Sequence, residues 1–331
     1  MVLAHLTENE RIIFPDSLSC LAYHESTNFC EILQLFLAIF TLNCATDTIA
    51  QNYIDLTRLS YTNTPLNNFE NDVDKTNVDE LSFKLNVPFK LNDKTTFLTG
   101  FSLNKTQLKL DSNFSNTSLY SIGLDIGIYQ IYSKKWAGTY LLLPKISSDL
   151  GTITREDFQF GLLSLFTNTK RDNLKYKYGL YVNSEKYGTL IILLIGLYYI
   201  SPTKKFESNI LLPAQFDINY QLFTKAVIGM NFDGLSSTYN LNNSMYSAKG
   251  EYVAKSSNEL FAYLGFHLTN SLYLKTKVGY LFSRTFKVYN SNDKINLALS
   301  SLYFGDNRTQ LNQNFDTGSV FKLELIYRVH F

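Results

Sequence analysis

After residue 51 hydrophobic and polar positions alternate with a period of two. In the segment 81–91, Leu81, Phe83, Leu85, Val87, Phe89 and Leu91 fall on one side, and Ser82, Lys84, Asn86, Pro88 and Lys90 on the other. A strand separates these two sets completely, whereas a helix would scatter them around its axis. The segment 118–132 repeats the pattern, with Leu124, Ile126 and Ile128 opposite Gly123, Asp125 and Gly127. In 272–282, Leu274, Val278, Tyr280 and Phe282 oppose Lys275, Lys277 and Gly279. Similar alternation runs through 97–104, 158–167, 174–183, 214–223 and 226–233.

The connections have a rhythm of their own. Short polar turns are expected at 92–94, 133–135, 170–173, 201–205, 223–225 and 269–271. Longer polar stretches lie between them, at 62–79, 105–117, 144–156, 235–257 and 289–318, with briefer ones near 184–188 and at Pro213. Tight turns at one end and long loops at the other are the signature of a transmembrane, antiparallel, up-and-down β-barrel. The segments predict about 14 strands, or about 12 if 206–223 is parsed differently, each long enough to span a bilayer. The faces argue against a soluble barrel. Large aromatics and Leu occupy one face, while Lys, Asn, Ser, Gly and Gln occupy the other. So many apolar faces turned inward would enclose more volume than side chains fill; turned outward, they meet lipid.

The last strand is the sharpest signal. Phe321, Leu323, Leu325, Tyr327, Val329 and Phe331 share one face, opposite Lys322, Glu324, Arg328 and His330. This resembles the terminal strand of bacterial outer-membrane barrels, in which an alternating segment ends in an aromatic residue. The resemblance implies recognition of Tyr327, Val329 and Phe331 by the barrel-assembly machinery, with periplasmic chaperones and outer-membrane lipid as further partners.

Residues 1–50 differ from the rest. They hold one of the 30 basic residues, Arg11, six of the 29 acidic ones, and all three cysteines, Cys20, Cys30 and Cys44. The apolar run 32–42 has the length of a signal-peptide core and is too short to span. Small residues at Thr48 and Ala50 place cleavage after Ala50. The acidic start does not suit a signal, so the true start is expected downstream, near residue 32. The domain 51–331 is then a cysteine-free barrel suited to an oxidising compartment.

Composition narrows function further. Hydrophobic residues are 45% and charged residues 18%, which excludes a disordered chain. A formal net charge of +1 offers nothing to nucleic acid. There is no phosphate loop, no G-x-S-x-G and no H-E-x-x-H, so no enzyme, metal or cofactor is expected.

The polar face does carry a bias. It holds Lys84, Lys90, Lys175, Lys177, Lys225, Lys275, Lys277, Lys287, Lys322 and Arg328, against Asp125, Asp217, Asp233, Glu259 and Glu324. Lining a lumen, that excess would favour anions. The alternative is a self-neutralising network that packs the interior. The segment 189–200 is apolar on both faces, so either an inward loop covers it or the lumen has an apolar track. The loop 289–318 is a candidate constriction.

Leu143-Pro144 with Ser148-Asp149, then Asp157-Phe158-Gln159-Phe160-Gly161, Tyr178-Gly179-Leu180-Tyr181, Gly196-Leu197-Tyr198-Tyr199, and Leu211-Leu212-Pro213 with Asn219-Tyr220 form a further set of motifs. Together they resemble a family of Gram-negative outer-membrane β-barrels known only as a domain of unknown function. The resemblance spans roughly residues 80–331 and implies fold and location but no activity. The reading is a passive outer-membrane channel for small polar or anionic solutes. Its alternatives are a closed barrel with a structural or surface-binding role, and a channel for hydrophobic solutes.

Overall fold

The computed structural model describes residues 53–70, 74–247 and 250–330. The leader 1–50, the cleavage position after Ala50 and the terminal Phe331 lie outside these residues. The strands are β1 (Tyr53–Asn68), β2 (Lys75–Lys90), β3 (Thr95–Lys109), β4 (Asn116–Ile131), β5 (Trp136–Ser148), β6 (Phe158–Arg171), β7 (Leu174–Glu185), β8 (Gly188–Ile200), β9 (Phe206–Leu212), β10 (Gln215–Phe223), β11 (Ala226–Leu241), β12 (Glu251–His267), β13 (Leu272–Asn290), β14 (Leu297–Leu299), β15 (Leu302–Phe304) and β16 (Ser319–His330).

Each of β1 to β12 pairs antiparallel with its successor, and β13 pairs with β16. The ring closes where β16 meets β1, with Tyr53 opposite His330 and Leu59 opposite Leu325. Fourteen strands thus form the wall, and β14 and β15 belong to the connection between β13 and β16. The turns β2–β3, β4–β5, β6–β7, β8–β9, β10–β11 and β12–β13, each of two to five residues, gather with Tyr53 and His330 at one end of the barrel, while the other end mixes long loops with the two-residue turns β7–β8 and β9–β10. A turn such as 91–95 is closed by Leu91 N donating to Thr95 O at 3.0 Å and Lys94 N to Asn92 Oδ1 at 2.9 Å.

Alternation decides which face meets what. Leu81, Leu124, Phe160, Leu162, Phe282 and Phe321 point outward and are exposed, Phe160 and Leu162 by 57% each. Such a band of apolar side chains around a closed ladder is what hydrocarbon requires, because the ladder pairs the backbone groups of the wall among themselves.

The long-loop half departs from a plain cylinder. Strands β9 and β10 are short, so β8 pairs with β9 only from Ile195 onward and β11 with β10 only as far as Asp233. Beyond Asp233, β11 keeps β12 but turns inward to β5 on the far side of the lumen, pairing Asn240 with Ser148. Strand β14 takes the vacated place beside β8, with Ala298 opposite Leu190. An apolar core fills the narrowed end: Val78, Leu108 and Leu119 from β2 to β4, Tyr239 from β11, and Phe286 and Val288 from β13. Phe315, from the stretch before β16, stacks on Phe286 at 6.0 Å.

Two irregularities correct the expected faces. Ser283 in β13 has φ of 53°, a left-handed conformation that shifts the alternation by one residue. Lys275, Lys277 and Leu281 face inward before it, and buried Arg284, Phe286 and Val288 after it. Lys287 therefore falls on the outer face, not in the lumen. In β8, inward-facing Leu190, Leu194 and Tyr198 are 1%, 5% and 4% exposed, so they do not form an open apolar track. Ile295 and Ala298 from the 289–318 connection pack with Leu190, as Tyr187, Tyr252 and Tyr289 do.

Candidate functional site

The short-turn half of the barrel holds a cavity of about 750 Å³. It runs from turn residues Lys204, Lys205, Thr224, Lys225 and Asn270 inward to Asp233 and Lys277. Strands β8 to β13, with β1 and β16, supply its walls. The room exists partly because large rings lie flat on the wall. The ring of Tyr263 covers Gly229 on the adjacent strand, and Tyr273 covers Gly265; a Cβ at either glycine would collide with the ring.

Cations and carboxylates interleave along the wall. Near the mouth, the Arg328 guanidinium stacks on Tyr53, 3.5 Å from the ring centroid, and its Nε donates to Asp55 Oδ1 at 2.6 Å. Arg58 reaches the other oxygen of Asp55 at 3.0 Å. Lys275 lies 4.2 Å from the Tyr263 centroid and 2.9 Å from Asp217, whose other oxygen accepts from Tyr263 OH at 2.6 Å. Deeper in, Lys277 pairs with Glu324 at 3.0 Å. Lys322 lies 3.6 Å from Glu259 and 4.0 Å from Asp233, and Lys255 lies 2.6 Å from Glu80. These pairs form a belt across mid-barrel, between the cavity and the apolar core.

Charge balance differs between belt and mouth. Seven Lys or Arg and four Asp or Glu line the cavity. The excess sits at the turns, where exposed Lys204, Lys205 and Lys225 have no ion pair among the described residues. A fixed cation without a carboxylate partner leaves its field to the solution, whereas a paired one does not.

The sequence-expected residues are thus divided. Lys275, Lys277 and Arg328 line the cavity, and Lys322 and Glu324 belong to the belt behind it. Lys177 lies outside the cavity lining and donates to Oδ1 of the lining residue Asn209 at 2.7 Å. Lys175 lies two residues nearer the turn on the same inner face of β7. Lys84 and Asp125 pair at 3.5 Å on the opposite wall, outside this cavity. Tyr327 faces outward beside the seam.

Missing from the expected set are Tyr53, Asp55, Arg58, Glu80, Glu207 and Tyr263. Asp55 precedes a register shift between Asp55 and Thr57, and Glu80 borders a stretch that reads as loop although β2 already begins at Lys75. The inward rings had a signal: glycines on one strand facing aromatics on the next.

The profile of one protein family, described as a domain of unknown function (DUF6268), matches residues 46–324. The chain belongs to this family. No curated protein matches the chain. Similar solved structures include an outer membrane channel from Pseudomonas putida F1, at 9% identity and a TM-score of 0.43, covering 84% of this chain and 95% of that one. OprB from Pseudomonas putida matches at 10% identity and a TM-score of 0.37, over 84% and 94% of the two chains. Outer membrane phospholipase A from Escherichia coli matches at 9% identity and a TM-score of 0.35, over 82% and 92%.

Proposed function

We propose that this family member is an outer-membrane channel of a Gram-negative bacterium, passing small polar and preferentially anionic solutes. The observation that carries the reading is the 750 Å³ cavity inside a lipid-facing barrel, with seven basic and four acidic residues along it. In outer-membrane barrels the short turns face the periplasm. The cavity is then a periplasmic vestibule with a basic rim, and the rim concentrates anions at low ionic strength.

Selectivity on this reading rests on Lys204, Lys205 and Lys225 more than on the deeper lysines. Lys275 and Lys277 are already neutralised by Asp217 and Glu324. Reversing the three rim lysines to Glu turns the excess into a deficit, and the expected result is a reversal potential that moves from the anion to the cation side. Unchanged selectivity in a folded triple variant would defeat the reading.

A second reading has its own support. The apolar core across the long-loop half favours a closed barrel that acts through its loops. A correctly folded barrel that never conducts, at any voltage, is the result that would select it.

A further inference from the structure

We propose that the inward-turned segment of β11, from Gly234 to Leu241, is the gate of the barrel, held shut by contacts centred on Thr238. This inference rests on the channel reading. Along most of the wall a ladder on both sides fixes a strand's position; β13 also loses β16 beyond Tyr280, but there Leu281 N donates to Gly318 O and Leu311 N to Val288 O, at 3.0 and 2.9 Å. On the β10 side, β11 loses its neighbour after Asp233; beyond that point β12 holds one edge, and the other meets only β5, at the single Asn240–Ser148 pairing. Gly234 marks the departure, donating to Ala214 O at the tip of the β9–β10 hairpin at 2.7 Å.

Side chains take over from the ladder. The Thr238 amide donates to Glu185 Oε2 at 2.8 Å, and its hydroxyl donates to the same oxygen at 2.5 Å. Its carbonyl accepts from Ser147 Oγ at 2.6 Å and from Gln159 Nε2 at 3.0 Å. Lys186 N donates to its hydroxyl oxygen at 2.8 Å. Two positions on, Asn240 Nδ2 donates to Asp157 Oδ1 at 2.8 Å. One face of a single strand segment is thus tied to β5, β6, β7 and the turn after β7. Each of these bonds has a ready replacement in water, so the set is reversible in a way that a wall ladder is not.

The other face of the segment points into the bore. Ser237 and Tyr239 wall a second chamber of about 240 Å³, and Tyr239 and Leu241 belong to the apolar core. Moving this one segment away from β5 therefore withdraws part of the core and widens the chamber together. Two discrete arrangements of a packed element are the usual form of such a switch.

The test exploits the absence of cysteine from residues 51–331. Ser148 and Asn240 are register partners, so the pair Ser148→Cys/Asn240→Cys places two thiols at bridging distance. Conductance of this folded variant in a planar bilayer is compared before and after reduction, beside Thr238→Val. The inference expects reduction to restore openings that the disulfide abolishes. It also expects Thr238→Val, which loses its hydroxyl bonds, to raise the open fraction by about tenfold. Equal conductance of the oxidised and reduced forms would overturn the gate and leave the channel standing. Silence of the native chain, the reduced pair and Thr238→Val alike, all folded, would overturn both.

Discussion

Lys277 and Glu324 face each other at 3.0 Å with 3% of each side chain exposed. Removing one partner of such a pair strands a buried charge, a loss of about 3–5 kcal/mol, while replacing both with apolar groups costs far less. Glu324→Gln is therefore expected to lower the unfolding midpoint sharply, and Lys277→Met/Glu324→Leu to recover most of it; heat-dependent gel mobility reads both. Equal loss in the single and double variants would show that the pair is not the cause. Asp111, in the β3–β4 loop, gives a pH-dependent counterpart. Burial pushes its carboxyl up, but hydrogen bonds from Asn113 N, Tyr246 OH and Gln313 N hold it below the ordinary 3.8. A depressed carboxylate contributes stability above its unfolded pKa and loses it as pH falls through the folded value. Amide exchange in the loops around Asp111 should thus stay slow at neutral pH and rise below about pH 4, a step that Asp111→Ala removes by making exchange fast throughout. At this scale the sequence was only half readable. It placed Lys275, Lys277 and Arg328 on the inner face, because alternation needs no partner. It did not show what they meet, because partners such as Lys255 and Glu80 lie 175 residues apart.

Strands were legible where both faces kept their rule, as in β2, β4 and β16. They were least legible where one face is covered by another part of the same chain. The double-sided hydrophobicity of β8 reflects a second buried surface, with Leu190 under Ile295 and Ala298. In β13 a single left-handed residue, Ser283, moves Lys287 to the outside and brings Arg284 and Phe286 in. Ser283→Gly should be tolerated or mildly stabilising, since glycine adopts this φ without strain, whereas Ser283→Val should destabilise. The core of the long-loop half makes the stronger claim. Phe286 is 3% exposed and stacked on Phe315. Phe286→Ala should cost about 3–5 kcal/mol. It should also loosen residues 311–315 in amide exchange while leaving the short-turn half protected. Loosening of the whole barrel together would mean that the two halves do not differ as described.

For the whole molecule, the number of strands and the short-turn and long-loop ends followed from the spacing of turns along the chain. The pinch did not, because it depends on two short strands, β9 and β10, releasing β11 toward β5. The resulting barrel is asymmetric along its axis: a wide basic vestibule, an ion-paired belt, and an apolar closure. Proposed for this interior is conduction with a preference for anions. The most direct measurement is the reversal potential of the refolded chain 51–331 in a planar bilayer under a salt gradient, with the Thr238→Val variant beside it. Stepwise openings that are longer in the variant and reverse on the anion side are expected. Folded barrels of both forms that stay silent, or openings that reverse on the cation side, would contradict the proposal.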